Sequence, residues 1–268
     1  MHVATPIWAP GVNGPEKPNT ARVRDYWLGG THNTEADQEL AAHLVSAAPH
    51  LPYLCRTHRS YLGRVVRRLT SLGVRQFLDL GSGLPTADNV HLVAPDARVV
   101  YVEIDPAVAS EGRELVANHP NVSYLCADLC DPDEVLGSAE VRTTLDLSEP
   151  VAVLVLDVLH FVPDSAEPHK VLAGYMDALA PGSYLGLSHT CRDPFMLAAV
   201  GLFGAMYEDQ PLPAFTFRYP EQVVQLFDGM EILSPGVVPI PLWEPDPGEV
   251  QDRNPENFQG CGGLARKN

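Results

Sequence analysis

The chain has 268 residues, 45% of them hydrophobic, which suits one large domain or one domain with an appended cap. Its formal net charge of −16 and isoelectric point near 4.9 oppose phosphate backbones and anionic membranes, so neither a nucleic-acid nor a membrane partner is expected. Five scattered cysteines without metal-ligand spacing, no leader-like N-terminus and no apolar run of ~18 residues predict free thiols, no metal and a cytoplasmic location.

Residues 1–18 are rich in proline and glycine and read as a mobile arm. A helix is expected from Thr20, as N-cap, to the Gly29-Gly30 stop, and a second from Thr34 to Val45. Pro49 to Pro52 reads as a break. From Arg59 to Leu72 the apolar positions 62, 65, 66, 69 and 72 share one helical face, and most of Arg56, Arg59, Arg64, Arg67 and Arg68 fall on the solvated side. Residues 19–73 thus form a helical cap leading into the first strand.

The stretch Gln76-Phe-Leu-Asp79-Leu-Gly81-Ser82-Gly83-Leu-Pro85-Thr86 runs from an apolar strand into a glycine turn, and a second strand, Val99 to Glu103, ends on a carboxylate about 20 residues on. This is the layout of a nucleotide-type βαβ site. The third glycine of a dinucleotide fingerprint is absent, as is the Gly-Lys-Ser/Thr of a phosphate loop. Asp79, just before the turn, repels a pyrophosphate and attracts an ammonium or sulfonium centre. S-adenosylmethionine carries both cations, one carboxylate and a ribose diol that Glu103 can accept from. A following helix, Thr86 to Ala94, would offer its free N–H groups to an anionic group of that ligand, whereas the plainer reading is a βαβ crossover with Asp79 as a helix-capping side chain.

Further strands are expected at Val122 to Cys126, Val151 to Leu156 and Tyr184 to Ser188, with helices at about 106–118 and 166–179, the latter capped by Ser165. The alternation predicts an α/β, doubly wound Rossmann-like parallel sheet. Beyond Asp193 come an apolar helix, Phe195 to Met206, a short helix over 219–227 and closing strands at 231–234 and 259–265. Phe195, Phe203, Met206, Tyr207, Phe215 and Phe217 suggest a lid over about 192–218 with apolar walls.

With these residues placed, the sequence resembles the class I S-adenosylmethionine-dependent methyltransferases and, more narrowly, the actinobacterial S-adenosyl methyltransferase family once described as a domain of unknown function. The likeness spans nearly the whole chain. It rests on Ala21-Arg22-Val-Arg-Asp25-Tyr26-Trp-Leu-Gly29-Gly30 with Asn33 and Asp37, on Gln76 to Thr86 with Asn89-Val90-His91, and on Val100 to Glu103. It continues through Leu159-His160-Phe-Val-Pro-Asp164, Leu179 to His189, Phe227-Asp-Gly229 and Trp243-Glu-Pro245. The resemblance implies a sheet of seven strands with the last antiparallel, in a domain over 74–268. It also implies S-adenosylmethionine at the carboxyl ends of the strands, released as S-adenosylhomocysteine. Pro85, where the broad class often has a third glycine, is a departure.

On this reading Asp79 holds the methionine ammonium, directly or through water, and Gly81, Ser82, Gly83, Thr86 and Asn89 supply the turn and its flank. Glu103, with Ile104 beside it, takes the ribose, and Asp128 with the Leu129 backbone takes the adenine amino group. Asp157 sits where cofactor meets acceptor. The N-terminal signature, Arg22, Tyr26, Gly29 and Gly30, closes over the methionine end, with Arg22 pairing its carboxylate. Each has a plainer role: Asp128 and Asp157 as turn residues, Arg22 with Asp25 as a surface ion pair. His160 and His189, past two buried strands, are the candidate bases, or else ordinary core histidines. The expected activity is direct in-line methyl transfer to a small-molecule O, N or S acceptor. A non-catalytic cofactor-binding regulator and an NAD(P)-dependent oxidoreductase are the alternatives, and homo-oligomerisation is left open.

Overall fold

The computed structural model describes residues 18–192, 194, 197, 198, 200, 201, 215–248 and 254–268. Nearly all of the expected arm, and Phe195, Phe203, Met206 and Tyr207 of the expected lid, lie outside the described residues.

Five apolar runs form parallel strands: β1 (Gln76–Leu80), β2 (Arg98–Glu103), β3 (Val122–Cys126), β4 (Ala152–Leu156) and β5 (Tyr184–Thr190). Two short strands, β6 (Glu231–Ile232) and β7 (Val238–Pro239), and the long β8 (Gly260–Arg266) complete an eight-stranded sheet of order β3-β2-β1-β4-β5-β8-β6, with β7 also on β8. β8 runs antiparallel to β5. The glycines of β8 have a packing reason. A Cβ at Gly262 would lie 2.7 Å from the Tyr61 ring, whose hydroxyl donates to the carbonyls of Gly263 (2.9 Å) and Leu187 (3.2 Å).

Strand side chains alternate between two cores. Leu78, Leu80, Val100, Val102, Val153 and Val155 face one, and Phe77, Val99, Tyr101, Ala152 and Leu154 face the other. Asp79 falls in register with Tyr101, so its side chain points to the second face. That face is covered by α3 (Leu51–Ser71), whose Tyr61, Leu62, Val65, Val66 and Leu69 join the same core. Each such fully buried side chain contributes about 1.5–3 kcal/mol. The first face carries α6 (Pro132–Gly137), α7 (Ala139–Thr144) and α8 (Pro168–Ala178), through Val135, Val141 and Tyr175.

Several local expectations change. In α1 (Thr20–Trp27) the cap is Asn19, not Thr20: the Asn19 carboxamide accepts from the Ala21 N–H at 2.7 Å. Thr34 and Asp37 form a capping box that starts α2 (Glu35–Ala47). Pro52 opens α3 rather than breaking the chain, because a first-turn proline lacks only an N–H that would be unpaired anyway. Leu72, just past the end of α3, is 42% exposed, whereas Arg64 within it is buried and donates to the Ile240 carbonyl at 2.8 Å. Ser165 does not cap α8; Glu167, with φ of 51°, precedes it. The helix expected over 86–94 shrinks to α4 (Val90–Val93), so no helix N-terminus follows the glycine turn directly. Pro85 has no N–H to give, and Asp88 takes a φ of 46° that breaks helical geometry. Further helices are α5 (Pro106–Val116), capped by the Asp105 carboxylate, and α9 (Pro220–Gln225).

Candidate functional site

The sheet reverses direction of growth between β1 and β4, where a doubly wound fold opens a crevice at the carboxyl ends of its strands. A cavity of about 260 Å³ occupies that place. Its floor is the turn after β1. The N–H groups of Gly81 and Ser82 both donate to the Val102 carbonyl, at 2.8 and 3.1 Å, which folds the turn back over β2. Gly81 has a φ of 68°, and a Cβ there would lie 2.3 Å from Val158 Cγ2, so two independent restrictions select glycine. From β3, the Tyr124 hydroxyl donates to the Gly83 carbonyl at 2.5 Å and clamps the turn's far side.

Each strand end then delivers an acid to the cavity wall. Glu103, at the end of β2, accepts from the Gly83 N–H at 3.0 Å through Oε2 and from Ile104 and Asp105 N–H at 2.9 and 3.1 Å through Oε1. Asp128, past β3, accepts from Cys130 N–H at 2.8 Å, and Leu129 beside it takes the Tyr175 hydroxyl at 2.9 Å. Asp79 is 3% exposed and makes no hydrogen bond or ion pair among the described residues. Burial pushes its carboxyl up to about 7, with Glu103 adding to the rise and Arg59 opposing it. Burial likewise raises Glu103.

The cations come from the helices. Arg59 of α3 lines the cavity near Asp79, and its Nη1 is buried without a hydrogen-bond partner among the described residues. Arg24 of α1 reaches Asp157, at the end of β4, with Nη1 2.6 Å from Oδ2. Asp157 takes a φ of 54° and gathers a polar cluster around it. The Thr190 hydroxyl donates to its Oδ1 at 2.6 Å, and His58 Nε2 and His160 Nδ1 each stand 3.6 Å from the same oxygen. Burial alone would raise this carboxyl; the neighbouring His58, Arg24 and His160 and the Thr190 hydroxyl hold it well below the usual carboxylate range. Burial keeps both imidazoles neutral near pH 7, each lowered to about 4.

The cavity therefore brings together Asp79, Gly81, Ser82, Gly83, Glu103 and Ile104 with Asp128, Leu129, Asp157 and His160. The other expected residues lie outside its lining. Arg22 pairs with Asp37 at 2.8 Å, not with Asp25, and it is Arg24 that faces inward. Tyr26 is 43% exposed. Gly29 and Gly30 shape a turn around Asp25: a Cβ on Gly30 would lie 2.0 Å from Asp25 Oδ1, and the other oxygen accepts from His32 N–H and the Asn33 carboxamide, both at 2.8 Å. Thr86 stands in the loop before α4, and buried Asn89 accepts from Ala87 N–H at 3.2 Å. His189 is fully buried on β5, where its Nε2 accepts from the Arg218 N–H at 3.1 Å and burial lowers it to about 3.

His58 and Arg59 carried a signal in the sequence. Positions 55, 58, 59 and 62 continue the apolar face of α3 one turn further back, so polar residues there point at the sheet.

The fold is that of the class I S-adenosylmethionine-dependent methyltransferases. The family model for S-adenosyl methyltransferases matches residues 12–268. The chain is similar to a solved methyltransferase structure from Thermobifida fusca YX, at 39% identity over 96% of this chain and 97% of that one, with a TM-score of 0.84. It is also similar to a DUF574 family protein from Streptomyces avermitilis MA-4680, at 34% identity over 95% and 99% of the two chains, again with a TM-score of 0.84. The ornithine lipid N-methyltransferase of Singulisphaera acidiphila is 34% identical over 98 residues, which are 35% of this chain and 46% of that protein; the match thus spans less than half of that relative. The chain belongs to the S-adenosyl methyltransferase family. The oxidoreductase alternative falls with that membership. Among the described residues no helix is long and apolar enough to cross a membrane.

Proposed function

We propose that the 260 Å³ cavity holds S-adenosylmethionine and that the protein passes its methyl group to a small-molecule acceptor on the Asp157–His160 side. One observation carries this reading: the buried Asp79, which makes no hydrogen bond among the described residues, and Arg59 line the same cavity. A buried charged group without a partner is costly. A zwitterionic amino acid satisfies both groups at once, its ammonium on Asp79 and its carboxylate on Arg59.

The other strand-end acids fit the rest of the cofactor. Glu103 has roughly four acceptor sites and uses three on backbone N–H groups, so taking both ribose hydroxyls requires release of one, the Gly83 contact across the turn. Asp128 is the acceptor for the adenine amino group, with Leu129 against the ring. The bound cofactor supplies a sulfonium-activated methyl. What the chain adds is alignment of donor and acceptor, a wall from α1 through Thr20, Ala21 and Arg24, and a neutral imidazole at His160 for an acceptor that must lose a proton.

Incubation with methyl-labelled S-adenosylmethionine and a fractionated metabolite extract tests this. Label should move to a small-molecule fraction, with S-adenosylhomocysteine formed in equal amount. Label that stays in the donor, in a protein that binds S-adenosylhomocysteine, would instead assign a non-catalytic binding role.

A further inference from the structure

A second cavity, of about 120 Å³, lies beside the first, and the two share Thr20, Arg24, Asp157, His160 and Phe161 as a common wall. Away from that wall it is lined by side chains from three cap helices and the stretch before Arg218, among them Trp27, Leu40, Leu44, Leu54, Phe215 and Phe217. The rings of His160, Phe215 and Phe217 are nearly parallel, 10–22° apart, with centroids 6.0–6.1 Å from one another. We propose that this cavity is the acceptor site and takes a neutral, single-ring aromatic hydroxyl compound, with the ring among the apolar side chains and the hydroxyl at His160. The proposal rests on the reading above that the first cavity holds the methyl donor.

Size, polarity and charge converge on that class. An engineered apolar cavity of about 150 Å³ takes up benzene, so a cavity of 120 Å³ limits the acceptor to one ring at most and excludes fused or bulkier ones. Flat rings pack well against flat walls, and an aromatic wall gives a ring more than area alone. Charged acceptors fare badly. The two charged groups of the shared wall, Arg24 and Asp157, pair with each other, and Asp157 also accepts from the Thr190 hydroxyl, so they leave no net charge to receive an ammonium or a carboxylate. Either ion would lose its hydration without a partner. A neutral hydroxyl needs only one acceptor, and His160 lines both cavities as an uncharged ring. In the transfer the hydroxyl oxygen gains the methyl, the carbon–sulfur electron pair stays on sulfur, and the hydroxyl proton goes to His160, where Asp157 at 3.6 Å steadies the resulting imidazolium.

Calorimetric titration of the full chain, saturated with S-adenosylhomocysteine, tests the class with 4-methylphenol, benzoate and benzylammonium as probes. The phenol should bind saturably and at least tenfold more tightly than either charged ring. Leu44→Trp, which fills the cavity from α2, should weaken the phenol at least tenfold while S-adenosylhomocysteine affinity stays within twofold. If that variant folds too poorly to bind S-adenosylhomocysteine, Phe217→Ala, which removes a ring from the opposite wall, takes its place with the same expectation. S-adenosylhomocysteine binding without phenol binding, or phenol binding unaffected by the wall substitution, overturns the acceptor assignment. Failure of S-adenosylhomocysteine itself to bind the parent would overturn the donor-site reading instead.

Discussion

Arg24 and Asp157, 133 residues apart, meet at 2.6 Å, and this contact joins the first cap helix to the end of β4. Both residues stand in the wall that the two cavities share. The contact also leaves Asp157 dependent on a cation from the N-terminal cap, whose nearby side-chain ties, the Asn19 carboxamide on Asp105 and His32 on Glu111 at 2.8 Å, reach α5 rather than the sheet.

Arg24→Ala should therefore lower stability by about 3 kcal/mol, because removing one partner strands a buried carboxylate. Urea midpoints measure the loss. Hydrogen exchange locates it, with faster exchange across Thr20–Trp27 and no change in β1–β3. Equal exchange in parent and variant would mean that α1 is held by its other contacts.

Gly81→Ala meets two penalties that can be separated. The left-handed backbone costs about 1–2 kcal/mol for a residue with a Cβ, and the contact with Val158 adds to it. Val158→Ala in the Gly81→Ala background should recover part of the steric share and none of the backbone share. A double-mutant cycle on denaturation midpoints reads the coupling. Strict additivity would show that the turn relaxes away from Val158.

Asp79 makes stability depend on pH in an unusual direction for a carboxylate. Between about pH 4 and 7 the folded protein keeps a proton that the unfolded chain has lost, so stability falls as pH rises through this window. Asp79→Asn removes the effect. The variant should gain on the parent by about 3–4 kcal/mol between pH 4 and 8, read from urea midpoints at both pH values. A constant difference would place Asp79 in a solvated or paired environment.

His189 acts in the opposite sense. Its folded-state value near 3 lies below the ordinary 6.5, so the stability it lends is present above pH 6.5 and is lost as pH falls toward 3. Between pH 7 and 5 the parent should lose about 2 kcal/mol more than His189→Asn, again by urea denaturation. Parallel losses would show that the ring is charged in the folded protein.

The cofactor end of the site was legible because strand ends are legible. Apolar runs locate β1 to β4, and the acids Asp79, Glu103, Asp128 and Asp157 sit in or just past them, where a parallel sheet must open. The cationic side was not. Arg22 and Arg24 are two positions apart on one helix and so face different ways; their motif does not say which points inward, and the Asp37 carboxylate that claims Arg22 is set by the packing of α2 on α1. Arg59 read as solvated because the apolar stripe of α3 was followed only as far as its last aliphatic residue. The helix after the glycine turn failed for a local reason, since Pro85 and Asp88 together prevent it from starting there. The lid aromatics Phe215 and Phe217 do line a cavity, but their neighbours in the sequence lie outside the described residues.

On the proposed function, Asp79 receives the ammonium group of the methyl donor. Calorimetric titration with S-adenosylhomocysteine at pH 8, parent against Asp79→Asn, addresses it most directly. Loss of a charge-assisted hydrogen bond worth about 1.5–3 kcal/mol predicts a Kd roughly 10- to 150-fold weaker in the variant, with no loss of fold stability. Equal affinity in the two proteins would contradict the claim.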